Sequence, residues 1–110
     1  MNRLLLIAIL LPQTALAEMS VQGTRYLCER GVEVPVVYAT EGADGIAVLN
    51  VDNQQIQLFL EPSASGVRYG WPSDGSNYVW LSKGDAATLL WKDGATGTET
   101  AILSDCKAQM

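Results

Sequence analysis

The chain has 110 residues, two cysteines, no histidine and a formal charge of −5. Without histidine, Ser-His-Asp and Cys-His nucleophile activation are both excluded, because the general base is missing. The acidic balance argues against nucleic acid or an anionic lipid surface as partner, whereas a basic protein would be steered toward the chain.

The first segment reads as an export signal. Asn2 and Arg3 form a short positive region, residues 4–11 are an apolar run, and Ala15-Leu16-Ala17 is a small-x-small cleavage signal. Cleavage is expected after Ala17. An apolar run of eight residues is far short of the ~20 needed to span a bilayer. The domain that remains, residues 18–110, carries six basic against twelve acidic side chains, a charge of −6. A bacterial lipoprotein needs a cysteine directly after the apolar run. The first cysteine here is Cys28, so a soluble protein without a lipid anchor is expected.

Export also governs the reading of Cys28 and Cys106, which lie near the two ends of the domain. In an oxidising compartment they are expected to form one disulfide. It would close a loop of 78 residues, which the chain-entropy account values at about 4 to 5 kcal/mol as an upper bound. A metal pair or a redox pair is disfavoured, since there is neither a CxxC spacing nor a histidine.

Eight segments then read as strands: residues 24–29, 32–39, 46–51, 54–60, 67–71, 77–82, 86–91 and 98–106. Short Gly, Asp, Asn or Pro turns separate them. Ile56, Leu58 and Leu60 alternate with Gln55, Gln57 and Phe59, and Val67, Tyr69 and Trp71 alternate with Arg68 and Gly70. No segment beyond the leader keeps a helical period with caps. The fold class is therefore all-β, a small eight-stranded antiparallel β-barrel or flattened sandwich whose side chains fill the interior and leave no large ligand cavity.

The carboxylates do not form a catalytic pair. They stand singly in turn sequences such as Asp52-Asn53, Asp74-Gly75 and Asp93-Gly94, where Asp forms turns. The chain reads as a non-enzyme with no cofactor, and its function is expected in loops at the barrel rim.

Residues 63–84 hold the two loops that stand out. Glu61-Pro62-Ser63-Ala64-Ser65-Gly66 contains no bulky apolar side chain, one proline and one glycine, and can project as a thin, stiff prong with Ser65 at its tip. Ser82-Lys83-Gly84-Asp85 is a tight turn after an aromatic strand, and presents a lysine with three donors on a flexible stem. Taken alone, Ser65-Gly66 is equally a plain turn, Lys83 a solvated charge, and Tyr69, Trp71, Tyr78 and Trp80 cross-strand packing.

The order Tyr26-Leu27-Cys28-Glu29, Val34-Pro35-Val36-Val37-Tyr38, Ser63-Ala64-Ser65-Gly66-Val67-Arg68-Tyr69, Ser82-Lys83-Gly84-Asp85-Ala86-Ala87-Thr88-Leu89 and then Cys106 resembles the membrane-bound and periplasmic inhibitors of c-type lysozyme. That resemblance implies an eight-stranded barrel clasped by a terminal disulfide, a periplasmic location in a Gram-negative envelope, and c-type lysozyme as partner. It further implies that Ser65 and Lys83, each beside its glycine, Gly66 and Gly84, enter the lysozyme cleft and meet the two catalytic carboxylates. Tyr69 would support the loop. Two features depart from the family pattern: Trp80 stands one place further from the Ser-Lys-Gly turn than the family's tryptophan, and the connection from Gly70 to Asn77 is longer. The competing readings are a peptidoglycan- or carbohydrate-binding barrel that stacks sugars on exposed Trp71 and Trp80, and a structural envelope subunit.

Overall fold

Alternation of side chains across each strand builds the architecture. In the stretch Glu33–Glu41, Val34 and Val36 are buried while Glu33, Pro35 and Val37 are exposed, so one face of the strand makes the core and the other meets water. The structure, a computed structural model, describes residues 18–110. The leader expected over residues 1–17 lies outside the described residues.

Eight strands follow in chain order: β1 Ser20–Leu27, β2 Glu33–Glu41, β3 Asp44–Val51, β4 Gln54–Glu61, β5 Val67–Gly70, β6 Asn77–Lys83, β7 Ala86–Lys92 and β8 Glu99–Gln109. Each pairs antiparallel with its neighbour in sequence, and β8 returns to β1, giving a closed barrel. Closure removes the unpaired edges that an open eight-stranded sheet would expose. All eight expected strands are present. Most of their ends differ from expectation by one to four residues. β1 starts four residues earlier, at Ser20, and stops at Leu27, where a short 3-10 turn over Glu29–Gly31 begins. β5 stops at Gly70, leaving Trp71 outside the ladder, and β8 runs on to Gln109.

Cys28 and Cys106 form the expected disulfide. Its place in the fold is more specific than a clasp between termini. The β1–β8 seam has only three residue pairs, Arg25 with Gln109, Tyr26 with Ala108 and Leu27 with Lys107, and Cys28 and Cys106 occupy the next rung. The covalent bond therefore continues a short ladder at the one junction that joins the two ends of the sheet.

The core contains Val34, Val36, Ala47, Leu49, Leu58, Trp80 and Leu89, all essentially inaccessible to water. Among the described residues no charged side chain is buried. The interior is not filled to both ends, which departs from the expectation of a barrel without a sizeable cavity. Toward the end where β1 starts, the alternate residues Ser20, Gln22 and Thr24 line an open concavity of about 460 Å³. Polar residues in these inward positions cannot be packed away dry, so the mouth stays open to water.

Candidate binding site at one end of the barrel

The two singled-out loops lie side by side at that open mouth. The first joins β4 to β5. Its conformation is held locally by a hydrogen bond from the Ser63 hydroxyl to the Ser65 carbonyl, 2.7 Å, which leaves Ser65 exposed. Gly66 then turns the chain into β5 with φ +72°, in the left-handed region where a side chain is disfavoured. A Cβ on Gly66 would stand 2.5 Å from the Ser82 carbonyl oxygen and 3.5 Å from the Lys83 Cβ. Only glycine lets the first loop lie this close against the second.

The second loop is the hairpin between β6 and β7. Lys83 pairs with Ala86, so Gly84 and Asp85 are its two central residues. Gly84 has φ +60° and Asp85 does not share the left-handed region, as a type II′ hairpin requires. The turn is fastened on its far side, where the Ala108 backbone N–H donates to the Asp85 carbonyl at 2.8 Å. Val67 pairs with Ser82, which ties the start of β5 to the root of the same turn. Lys83 is exposed and makes no ion pair among the described residues.

Beneath both loops lies an aromatic floor. Trp80 is wholly buried; its indole N–H donates to the Tyr38 hydroxyl at 2.7 Å, and Tyr26 and Tyr38 share a hydrogen bond of 2.8 Å. The Tyr26 ring meets Trp80 edge-on at 5.1 Å, and Tyr69 tilts against Tyr38 at 5.5 Å, within the range of favourable aromatic pairs. Burial, reinforced by the bond to Tyr26, pushes the Tyr38 hydroxyl well above the ordinary phenol range. Burial raises Tyr69 too, with the neighbouring Tyr38 adding to it. Both stay protonated and able to donate.

The structure thus brings together Ser65, Gly66, Lys83 and Gly84 at the rim, with Tyr69 below them as a packing residue. It does not form a surface from Trp71 and Trp80. Trp80 points into the core, and Trp71, just past the end of β5, is 42% exposed with its ring 5.3 Å from Phe59. The sugar-stacking face expected of that pair is absent because β6 alternation puts Trp80 on the inward side with Tyr78 and Ser82. The Asp85 tie to β8 had no sequence signal, since a backbone carbonyl is common to every residue. The hydroxyl network was readable only as four scattered aromatics.

The family model described as membrane-bound lysozyme-inhibitor of c-type lysozyme matches residues 26–97. The chain belongs to that family. It is a family of enzyme inhibitors and not of enzymes. The membrane-bound lysozyme inhibitor of C-type lysozyme from Pseudomonas aeruginosa is 33% identical over 81 residues, covering 71% of this chain and 61% of that protein. The chain therefore spans about three fifths of the curated relative it matches. Among solved structures, the Pseudomonas aeruginosa inhibitor in complex with hen egg white lysozyme is similar with TM-score 0.64 and 27% identity, over 98% of this chain and 100% of that one. The periplasmic inhibitor of C-type lysozyme from Salmonella typhimurium shares the fold, with TM-score 0.67 and 24% identity over 83% of this chain and 100% of that one.

Proposed function

We propose that this protein is a periplasmic inhibitor of c-type lysozyme that acts by inserting the Ser65 and Lys83 turns into the lysozyme active-site cleft. The observation that carries the reading is the seating of the Gly66 backbone on the Ser82-Lys83 backbone, which makes one composite prong of two loops distant in sequence. Family membership supplies the target class, and the solved relative bound to hen egg white lysozyme supports it.

The chemistry is direct. Lysozyme needs one carboxylic acid protonated and a second ionised, a difference set by their environments. The Lys83 ammonium between them favours the ionised form of both, and the Ser65 hydroxyl donates to a carboxylate oxygen. The cleft is then blocked, and its general acid is held in the wrong protonation state. Tyr69 serves from below, through the aromatic floor that fixes the strand leading out of the first loop. An excess of acidic over basic side chains favours encounter with a basic enzyme, while the single lysine at the tip meets its acidic centre. The relatives are named membrane-bound. We read this chain as soluble after export, because both cysteines in the sequence are joined to each other and neither is free to carry a lipid.

The test is suppression of cell-wall lysis by hen egg white lysozyme. The purified domain should abolish lysis at a modest molar excess. Lys83→Ala should weaken it by about 2 to 5 kcal/mol, the range for truncating a buried interfacial charge, and Ser65→Ala by about 1 kcal/mol, one hydrogen bond. Absence of inhibition by the wild type at large excess would refute the reading, and a Lys83→Ala effect under about twofold would remove that residue from its centre.

A further inference from the structure

We propose that the barrel mouth is itself a binding site for a small neutral polyhydroxyl ligand, with a single saccharide unit as the class that fits. Four observations lead there.

The first is shape. The mouth is a concavity of about 460 Å³, inside the span of about 300 to 1,000 Å³ typical of small-molecule sites. The second is its lining, which alternation delivers from four strands: Thr24 and Tyr26 from β1, Tyr38 from β2, Tyr69 from β5 and Ser82 from β6. Hydroxyl groups beside aromatic rings match a sugar, which has an apolar C–H face and a rim of hydroxyls.

The third observation is an unspent polar group. Tyr69 is only 4% exposed, yet its hydroxyl has no hydrogen-bond partner among the described residues. Among those residues no sealed side-chain nitrogen or oxygen lacks a partner, so this hydroxyl must reach solvent from a side chain otherwise packed in the core. Tyr69 lines the cavity, and its oxygen is offered there with its ring already immobilised against Tyr38. Such preorganisation lowers the entropic cost of binding.

The fourth is charge. Among the described residues, Asp85 is the only ionisable acid or base on the cavity wall other than the tyrosines, and no lysine or arginine lines it. The wall itself offers no cation to a phosphate or a carboxylate, Lys83 standing at the rim outside it, and its one carboxylate is suited to accept from ligand hydroxyls. The floor beneath is already satisfied internally by the Trp80, Tyr38 and Tyr26 bonds, so the ligand is read by the wall residues alone.

The site can be tested without lysozyme, so its failure is separable from failure of the inhibitor reading. N-acetylglucosamine is the probe, titrated into isotope-labelled protein and followed by amide chemical shifts, with glycerol as the control polyol. Saturable shifts at Thr24, Tyr69, Ser82, Gly84 and Asp85, with a dissociation constant in the range of about 1 mM, support the site. Tyr69→Phe keeps the ring and removes the hydroxyl; it should weaken binding about fivefold, the worth of one hydrogen bond. Thr24→Val should act in the same direction, while Trp71→Ala, at a residue that does not line the cavity, should leave binding unchanged. No shifts up to about 50 mM probe, far above such a constant, would overturn the proposal. Equal shifts with glycerol, or unaltered affinity in both Tyr69→Phe and Thr24→Val, would overturn it as well.

Discussion

Two glycines carry the rim, and they are not equivalent. Gly66 and Gly84 both have positive φ, but a Cβ on Gly84 would meet open space, while one on Gly66 would meet the Ser82 carbonyl oxygen at 2.5 Å. Gly84→Ala therefore incurs backbone strain only, about 1 kcal/mol. Gly66→Ala adds a collision with main chain that cannot rotate away, and the loop must lift. We expect Gly66→Ala to lower both stability in urea and lysozyme inhibition clearly more than Gly84→Ala does. Equal effects would mean that the two loops are not held together as described. From the sequence, each glycine was readable as a turn residue. The closeness of Gly66 to Ser82, sixteen residues later, was not, because a glycine's spelling is the same whether its missing side chain faces solvent or a carbonyl.

At the scale of the elements, the short strand β5 is braced from outside. Arg68 points outward, opposite Tyr69, and its guanidinium is held by Glu61 of β4 at 3.2 Å and by both carboxylate oxygens of Glu99 at the start of β8. Val79, on the same outward parity of β6, is only 2% exposed although it lies outside the core cluster. The ion pair thus belongs to a cover over the outer face of β5 to β8. The hydrogen bond from Arg68 holds the Glu99 carboxyl below its ordinary value. A carboxyl depressed in the folded state contributes stability above its unfolded pKa of about 4.3, and that contribution disappears as pH falls through the lower folded value. Glu99→Gln should therefore destabilise the protein by about 1 kcal/mol near pH 7 and by progressively less in acid. Urea midpoints of wild type and variant, compared across pH, check this, and a constant gap down to low pH would assign the effect to packing instead. The strand itself was legible from Val67, Tyr69 and the turn residues around it. That Arg68 would reach across to Glu99 was not, because an arginine at an outward position reads as solvated until the neighbouring strands curve its partner into range.

For the whole molecule, the decisive event is closure. Only three residue pairs join β1 to β8, and the Cys28–Cys106 bond fixes the next rung. β8 also pairs Cys106 with Ala87 and Lys107 with Ala86, and Ala108 holds the Asp85 carbonyl. The seam and the Lys83 turn are consequently one mechanical unit. Replacing both cysteines with serine should lower stability by up to about 4 to 5 kcal/mol. Amide exchange should rise first over residues 25–27 and 107–109 and next in the turn at residues 83–85; uniform acceleration would mean that the bond acts only on the unfolded chain. The sequence by itself determined the all-β class, eight strands, the pairing of its only two cysteines and the turns at Ser65-Gly66 and Lys83-Gly84, because side-chain alternation, turn chemistry and cysteine count are local properties written residue by residue. Tertiary structure decided the rest: that Trp80 faces inward, that Ser20, Gln22 and Thr24 open a polar mouth, and that Gly66 seats one loop on the other. Those outcomes depend on which strands meet, and strand closure is a long-range event that no local pattern encodes.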